Sequence, residues 1–379
     1  MDPPPAASDP SLRWVHMTDS SLRAALQWSS MQMLNRERFD ALMRVFGSLE
    51  EAIKHVDCEL LRGLGCREET SGKAMQRLEK CDLEQEMALL TQAGASLTTL
   101  AEPEYPDRLK DIPDCPIFLY ARGNLSILHQ PCVALVGTRR MSGYGKRVAE
   151  EFTRALAKAK IVTVSGLARG IDSLVARETM EAGSQTVAVL GQGLLTLSPD
   201  AKELADSIVN AGGLVLSEFP LRMGPDIFTF PLRNRIIAGL SLATVVLEAP
   251  ERSGALITAK LAFDYNRDVF AVPGQIFDIN YAGCHALIAR QQARITSSPR
   301  DVLEDLGVIV PDSDAEVSTY IAQSPEEEKV LQSLTTMPSS VDALVEKSAV
   351  SAASASAILT VLELNGAAKN LGGSQWIKL

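Results

Sequence analysis

The middle of the chain alternates short apolar runs with helical stretches, and this alternation restricts the possible folds more than any other feature. Between residues 105 and 298 the runs show little polar alternation, which is typical of strands buried on both faces of a parallel sheet. Strands that alternate with helices predict an open, mostly parallel α/β sheet with helices on both faces. The runs span residues 133–137, 161–166, 186–191, 213–218, 244–249 and 269–274.

The segments on either side have a different texture and predict separate domains. From Leu12 to about Ala101, apolar residues recur at three- and four-residue spacing, which is typical of helices. After an acidic, polar stretch, the C-terminal part shows three short helical patterns, and Gly372-Gly373 indicates the turn of a small β-wing. We therefore predict a disordered tail (1–10), a helical domain (11–101), the α/β core (102–309), a linker (310–324) and a winged-helix-like domain (325–379).

Charge is distributed unevenly over these parts. The chain has 379 residues and a net charge of −10, which disfavours nucleic-acid binding by the chain as a whole. Residues 131–300, however, hold 19 Lys and Arg against 15 Asp and Glu, a net of +4, whereas residues 301–379 hold 4 against 12, a net of −8. A phosphate-binding surface is therefore expected in the middle segment.

The composition predicts a cytoplasmic globular protein. No apolar run approaches the ~20 residues that span a bilayer, so we expect no membrane association. The acidic, proline-rich start lacks the basic and apolar regions of a secretory signal. The six cysteines include no C-x-x-C pair, so neither a zinc site nor a redox motif is indicated.

Two loops that follow apolar runs carry residue types that bind anions. Glycines let the backbone approach a ligand, and a helix N-terminus offers free N–H groups. Arginine forks suit phosphate oxygens. Residues 137–145 join two arginines to the start of a helix, and residues 165–172 repeat the arrangement with a third arginine. The candidate binding residues here are Gly137, Thr138, Arg139, Arg140, Ser142, Lys146, Gly166, Arg169 and Gly170.

Two later loops add further candidates. Residues 230–239 place two arginines at the head of a predicted helix beside Phe230, which could stack on a base, although core packing is favoured for it. In residues 248–259 a Ser-Gly turn opens another helix, and Glu248 could bond a sugar or satisfy a loop amide. We interpret Asp172 as a helix N-cap. The candidates here are Arg233, Asn234, Arg235, Ser253, Gly254 and Thr258.

Familiar nucleotide-binding and catalytic motifs are absent from the sequence. A Walker A loop needs Gly-Lys-Ser/Thr, but Gly145-Lys146 is followed by Arg147. The dinucleotide fingerprint needs an acid at the end of the second strand, where this chain has Ser165-Gly166. No nucleophile elbow, metal-ligand spacing or Ser-His pairing occurs. We therefore expect a binding protein without a cofactor rather than an enzyme.

Taken together, these loops resemble the DNA-processing protein A (DprA, or Smf) family. The resemblance implies a Rossmann-like core that binds single-stranded DNA through the candidate residues named above other than Arg140, Lys146 and Gly170. It also implies homodimers, a sterile-alpha-motif-like N-terminal domain and a winged-helix C-terminal domain. The implied role is to protect incoming DNA and load RecA recombinase on it in natural transformation. The matching segments are residues 136–139, 142–145, 165–172, 217–218, 230–239, 248–249, 253–259 and 272–274.

The chain departs from the family pattern at three places. Ala176 stands where the family usually has a histidine, Ser198 replaces the tyrosine of a Tyr-Pro pair, and His285 replaces an asparagine. The alternative function is a nucleotide or nucleoside-phosphate hydrolase on a related fold. Such hydrolases carry Pro-Gly-Gly-x-Gly-Thr, whereas this chain has Pro273-Gly274 followed by Gln. A third possibility is a scaffold that acts only through protein contacts.

Overall fold

The computed structural model describes residues 17–308, 322–335 and 338–378. The chain divides into two units, Met1–Ile309 and Val310–Leu379. The predicted tail (1–10) and most of the predicted linker (310–324) lie outside the described residues.

Six helices form the N-terminal part of the larger unit, and polar caps explain where most of them begin. The side chains of Thr18, Asn35, Ser48, Asp57 and Asp82 each accept a hydrogen bond from a backbone N–H in the first turn of the following helix. The helices are α1 (Asp19–Met31), α2 (Arg36–Phe46), α3 (Leu49–Lys54), α4 (Cys58–Gly63), α5 (Glu68–Glu79) and α6 (Leu83–Ala93).

A nine-stranded sheet follows in the same unit. Its strands are β1 (Ala95–Thr99), β2 (Phe118–Gly123), β3 (Cys132–Gly137), β4 (Val162–Ser165), β5 (Thr186–Leu190), β6 (Leu214–Ser217), β7 (Ala243–Glu248), β8 (Asp268–Ala271) and β9 (Arg294–Ile295). The order across the sheet is β1-β2-β6-β5-β4-β3-β7-β8-β9. β2 is antiparallel to both neighbours, and the strands from β6 to β9 run parallel. The predicted mostly parallel α/β sheet is confirmed.

Helices cover both faces of this sheet. Successive residues of β3 belong to different hydrophobic clusters, Val133 and Leu135 to one and Ala134 and Val136 to the other, because side chains alternate along a strand. This double burial explains the uninterrupted apolar runs of the sequence. The helices are α7 (Asp107–Lys110), α8 (Gly143–Lys158), α9 (Ile171–Glu181), α10 (Pro199–Asn210), α11 (Thr229–Leu240), α12 (Ala255–Asp264), α13 (Ala282–Ala289) and α14 (Pro299–Asp305).

One strand lies inside the range that the sequence predicts to be helical. Gly94 adopts the left-handed conformation with φ +58° and ends α6. The β-branched Thr98 and Thr99 then pair with Leu119 and Phe118 of β2. Residues 95–99 of the predicted helical range (11–101) are therefore the edge of the sheet.

The strand order reverses between β3 and β7. From β3 the chain moves outward through β4, β5 and β6, and it then returns to β7 on the other side of β3. In open α/β sheets, ligands bind outside the carboxyl ends of the strands at such a reversal. The loops after β3 and β7 therefore meet where a binding site is expected.

The smaller unit is described from residue 322. It contains α15 (Pro325–Ser333), β10 (Ser339–Ser340), α16 (Val341–Ser348), α17 (Ala352–Leu364), β11 (Ala368–Asn370) and β12 (Gln375–Lys378). The three strands form an antiparallel sheet in the order β10-β12-β11. Three helices with a β-wing confirm the predicted winged-helix architecture. In the part of the chain that the structure describes, no single helix could cross a membrane; by length and composition only the pair α16–α17 could, and it is bent by 107°.

Candidate nucleic-acid interface

Loops at the carboxyl edge of the larger sheet enclose two adjoining basins. The β4–β5 basin, at the ends of those strands, has a volume of about 790 Å³. The β3–β7 basin has a volume of about 840 Å³. We call the two together the basic groove. Their shared wall consists of Arg139, Arg140, Ala168, Phe230 and Arg233.

Most of the site residues predicted from the sequence line this groove. Arg139 and Arg140 are exposed in the loop after β3, and Arg169 is exposed in the loop after β4. α11 and the start of α12 supply the opposite side. The predicted residues that line the groove are Gly137, Thr138, Arg139, Arg140, Gly166, Arg169, Arg233, Asn234, Ser253, Gly254 and Thr258.

Arg233 is the buried cation of the groove, with 5% of its surface exposed. Its Nη1 donates to the carbonyl of Val189 at 2.6 Å, and its Nε has no hydrogen-bond partner. Among the described residues, no carboxylate forms an ion pair with it. Burial lowers the pKa of Arg233 to about 10; Asp172 opposes this shift, and Arg139 adds to it. The charge of Asp172 compensates it without forming an ion pair, and because Arg233 lines both basins, an anionic ligand in the groove can add a closer counter-charge.

Close packing fixes the loop that lies against Arg233. A Cβ at Gly166 would lie 1.7 Å from Nη1 of Arg233, so a side chain at this position would have to displace the guanidinium. Asp172 accepts hydrogen bonds from the N–H groups of Gly166 and Ala168 at 3.1 and 3.4 Å. Burial raises the pKa of Asp172, and Arg233 opposes the rise. The N-cap interpretation of Asp172 is wrong, because the N-cap residue of α9 is Gly170. Asp172 instead stabilises the preceding loop by accepting hydrogen bonds from its N–H groups.

Four of the predicted DNA-binding residues lie outside the lining of the groove, and Arg235, Lys146 and Gly170 are three of them. Both Nη atoms of Arg235 donate to Glu218, at 3.1 and 2.5 Å, on the side of α11 that faces a separate cleft. Lys146 forms an ion pair with Glu150 at 3.6 Å. Gly170 provides a backbone turn with φ +82°. Contact between DNA and these residues stays a prediction.

A fourth predicted residue, Ser142, is bound to a carboxylate of the protein itself. Glu248, fully buried at the end of β7, accepts from Ser142 N at 3.0 and 3.1 Å and from Ser142 Oγ at 2.6 Å. Ser142 Oγ in turn accepts from the N–H of Gly145 at 3.0 Å. Two N–H groups that the sequence predicts to be free for an external anion are therefore used internally. Of the two roles left open for Glu248, the structure shows the bond to a loop amide.

Several residues outside the predicted set also line the groove, and three of them have polar or aromatic side chains suited to binding. Arg252 is exposed beside Ser253, and that adjacency was the available signal. Phe230, for which core packing was favoured, is half-buried and lines both basins while its ring packs on Gly191. Gln192 follows the end of β5 and lines the β4–β5 basin, and nothing in its sequence context marked it.

The three departures from the family pattern have different surroundings. Ser198 lines the β4–β5 basin. Ala176 is buried within α9. Nε2 of His285 lies 3.3 Å from the N atom and 3.1 Å from the O atom of Gly274. Only Ser198 among the three lines the groove.

Fold and site define a class of protein: a doubly wound α/β protein whose switch point carries an arginine-lined groove instead of a nucleotide loop. The family model for DNA recombination-mediator protein A matches residues 96–307. The model for the DprA winged helix domain matches residues 314–374. The chain therefore belongs to the DNA recombination-mediator protein A (DprA) family.

Relatives and solved structures agree with this assignment. The chain is 37% identical to Protein Smf of Escherichia coli (strain K12) over 253 residues, which cover 66% of this chain and 67% of that protein. The X-ray structure of DprA from Streptococcus pneumoniae matches with a TM-score of 0.63 and 34% identity, over 76% of this chain and 98% of that one. A DprA structure from Helicobacter pylori, described for its unique single-stranded DNA binding mode, matches with a TM-score of 0.50 and 27% identity, over 56% and 95%.

Proposed function

We propose that the basic groove binds single-stranded DNA. The observation that carries this proposal is Arg233, a buried guanidinium that lines both basins. It forms no ion pair with a carboxylate of the described residues, and its Nε has no hydrogen-bond partner. Arg139 and Arg140 stand exposed on the same wall. A phosphate of the strand would supply a closer counter-charge, because guanidinium forks match phosphate oxygens.

The shape of the groove favours a single strand over a duplex. Its arginines lie on the walls of a concave site, whereas readers of duplex DNA present a projecting helix or ribbon to the major groove. Phe230 on the shared wall offers a ring on which a base can stack. The single-stranded DNA binding mode described for the Helicobacter pylori relative supports the same ligand.

The wider role that we propose is the one implied by the family. The protein would protect incoming single strands in the cytoplasm and load RecA recombinase on them in natural transformation. It would act by binding, without a catalytic step, and as a homodimer. Phe263, Ile276 and Phe277 are exposed apolar side chains of the larger unit, and burial against a second copy would remove such side chains from water.

Fluorescence anisotropy with labelled single-stranded and duplex oligonucleotides tests the groove. The test variant is Arg139→Glu/Arg140→Glu, because both side chains are exposed and their replacement should not disturb the fold. The matched control, Lys80→Glu/Arg177→Glu, makes the same charge change at exposed positions outside the groove.

The wild type and the control are expected to prefer the single strand, with affinity that falls as salt rises because counterions are released. The groove variant should bind at least ~10-fold more weakly and with a shallower salt dependence. Equal affinities of the groove variant and the control would contradict the proposed site. Equal binding of single strand and duplex by the wild type would contradict the proposed preference.

A further inference from the structure

Glu248 occupies the position at which related α/β folds hold a ligand's phosphate. In doubly wound folds, a nucleotide's pyrophosphate lies at the N-terminus of the helix that follows the first strand at the switch point. In this chain that helix is α8, which follows β3, and the neighbouring strand across the reversal is β7. β7 ends in Glu248, whose carboxylate therefore reaches the start of α8 from the adjacent strand.

The contacts of this carboxylate are those of a bound anion. Its oxygens accept from the N–H and the hydroxyl of Ser142 at 2.6 to 3.1 Å and from the hydroxyl of Tyr281 at 3.4 Å. No Lys or Arg among the described residues forms an ion pair with it. Hydrogen-bond donors and the positive end of the helix dipole thus replace a cation as its partners.

Glycine at position 145 makes room for this carboxylate. A Cβ on Gly145 would lie 1.8 Å from Oε2 and 2.7 Å from the carboxyl carbon of Glu248. In nucleotide-binding loops, a glycine at the helix start allows a phosphate to approach the backbone. In this chain, the space left by the missing Cβ of Gly145 is occupied by the carboxylate of Glu248.

Tyr281 and its surroundings close this position from outside. Tyr281 is fully buried, and its ring packs so tightly on Gly274 that a Cβ there would lie 2.2 Å from its Cγ. The Tyr144 ring lies 5.5 Å from the Tyr281 ring. Burial raises the pKa of Tyr281, and the charge of Glu248 raises it further. The hydroxyl therefore stays protonated and donates a hydrogen bond to the carboxylate.

We propose that Glu248 is a specificity-determining residue that acts as a built-in anion. Its carboxylate fills the phosphate position at the start of α8, so mononucleotides, dinucleotide cofactors and free pyrophosphate are excluded from it. Phosphates are then held only in the arginine-lined groove outside. This inference concerns the helix start and does not depend on whether the groove binds DNA.

Replacement of Glu248 by alanine tests the proposal by vacating the position. Thermal unfolding of the full chain is followed in sodium acetate and in sodium chloride at equal ionic strength. A ligand that binds only the folded state raises Tm, so Glu248→Ala should gain ~3 °C or more in acetate relative to chloride. The wild type and Glu251→Ala, which removes an exposed carboxylate from the same loop, should respond to acetate much less.

Glu248→Gln provides the second variant. It keeps the volume of the side chain and leaves the position filled, so it should respond to acetate no more than the wild type. If Glu248→Ala unfolds in chloride, recovery of its cooperative transition in acetate is the expected result. The proposal is overturned if acetate affects the alanine variant no more than the glutamine variant, or does not restore its fold. Binding of ATP or NAD by the wild type that survives Arg139→Glu/Arg140→Glu would also overturn it.

Discussion

Arg233 and Arg235 lie two positions apart on α11 and therefore point to opposite sides of it, because each residue turns a helix by about 100°. Arg235 meets Glu218 and forms an ion pair through both Nη atoms. Arg233 lies under the groove, where its Nε finds no partner. The two arginines therefore differ in their surroundings: Arg235 is in an ion pair, whereas Arg233 forms none among the described residues and lines the proposed binding groove.

Replacement of Arg233 by methionine should separate binding from stability. Methionine keeps much of the volume and removes the charge whose pKa burial lowers to about 10. We expect the affinity for single-stranded DNA to fall ~10-fold or more, while Tm changes little, because relief from burying the charge offsets the lost attraction to Asp172 and the lost bond to Val189. Anisotropy and thermal unfolding measure the two effects. A large fall in Tm would show that Arg233 serves the fold instead.

The same pKa fixes a pH dependence. The pKa of arginine is 12.5 without the fold and about 10 in it, so at lower pH the penalty for burying the charge is fully present. As pH rises through about 10, the folded state releases the proton first, and the free energy of unfolding rises. Urea titrations between about pH 9 and 11 should show this rise for the wild type relative to Arg233→Met. Parallel curves for the two proteins would contradict the assignment.

Loss of Arg235 should have the opposite outcome. Arg235→Leu leaves Glu218 nearly buried without its partner, and the two side chains are only 12% and 14% exposed. Breaking such a pair costs about 3–5 kcal/mol, whereas the affinity of the folded fraction for DNA should stay within ~2-fold because Arg235 does not line the groove. Urea unfolding and anisotropy check both parts. The double variant Arg235→Leu/Glu218→Leu should recover part of the lost free energy of unfolding, because no unpaired carboxylate remains. If Arg235→Leu instead lowered the affinity for DNA without lowering the stability, direct contact between Arg235 and DNA would be favoured.

At the scale of elements, the start of α8 offers a matched pair of glycines. A Cβ at Gly145 would collide with the carboxylate of Glu248, whereas a Cβ at Gly143 meets nothing within 4 Å. Gly145→Ala should therefore lower the free energy of unfolding by about 2 kcal/mol or more. Gly143→Ala should be neutral or stabilising by up to ~1 kcal/mol. Chemical unfolding gives the free energy of unfolding of both variants. Equal changes would contradict the steric role of Gly145, because they would mean that the start of α8 shifts to accommodate a Cβ.

The sequence could predict the central parallel strands, whereas it did not single out β2, although the first four residues of β2 are buried. The six central strands are buried on both faces and give uninterrupted apolar runs. The two-residue β9 is exposed, and β1 exists because β2 pairs with it, so neither has a local signature. The loops of the groove could be predicted because they follow the strands. The different orientations of Arg233 and Arg235, and the internal bond of Glu248, depend on packing that no local pattern records.

For the whole molecule, the distribution of charge separates the two units. The groove lies in the segment with a net charge of +4, and residues 309–379 hold 4 Lys and Arg against 9 Asp and Glu, a net of −5. A chain that ends at residue 308 should bind single-stranded DNA within ~2-fold of the full chain, or more tightly, because it loses negative charge that repels phosphates. Anisotropy at low and at physiological salt compares the two chains. A loss of ~10-fold or more would assign part of the binding surface to the smaller unit.

The strand order also sets when the groove can form. β3 pairs with β7, and the first partners, Val133 and Ala243, are 110 residues apart in the chain. The loops after β3, β4 and β5 therefore leave the ribosome long before α11 and α12 can close the groove. At synthesis rates of about 5–20 residues per second, the central strand waits roughly 5–20 s for its partner. During that time a growing chain exposes an unpaired strand edge in the middle of its future sheet.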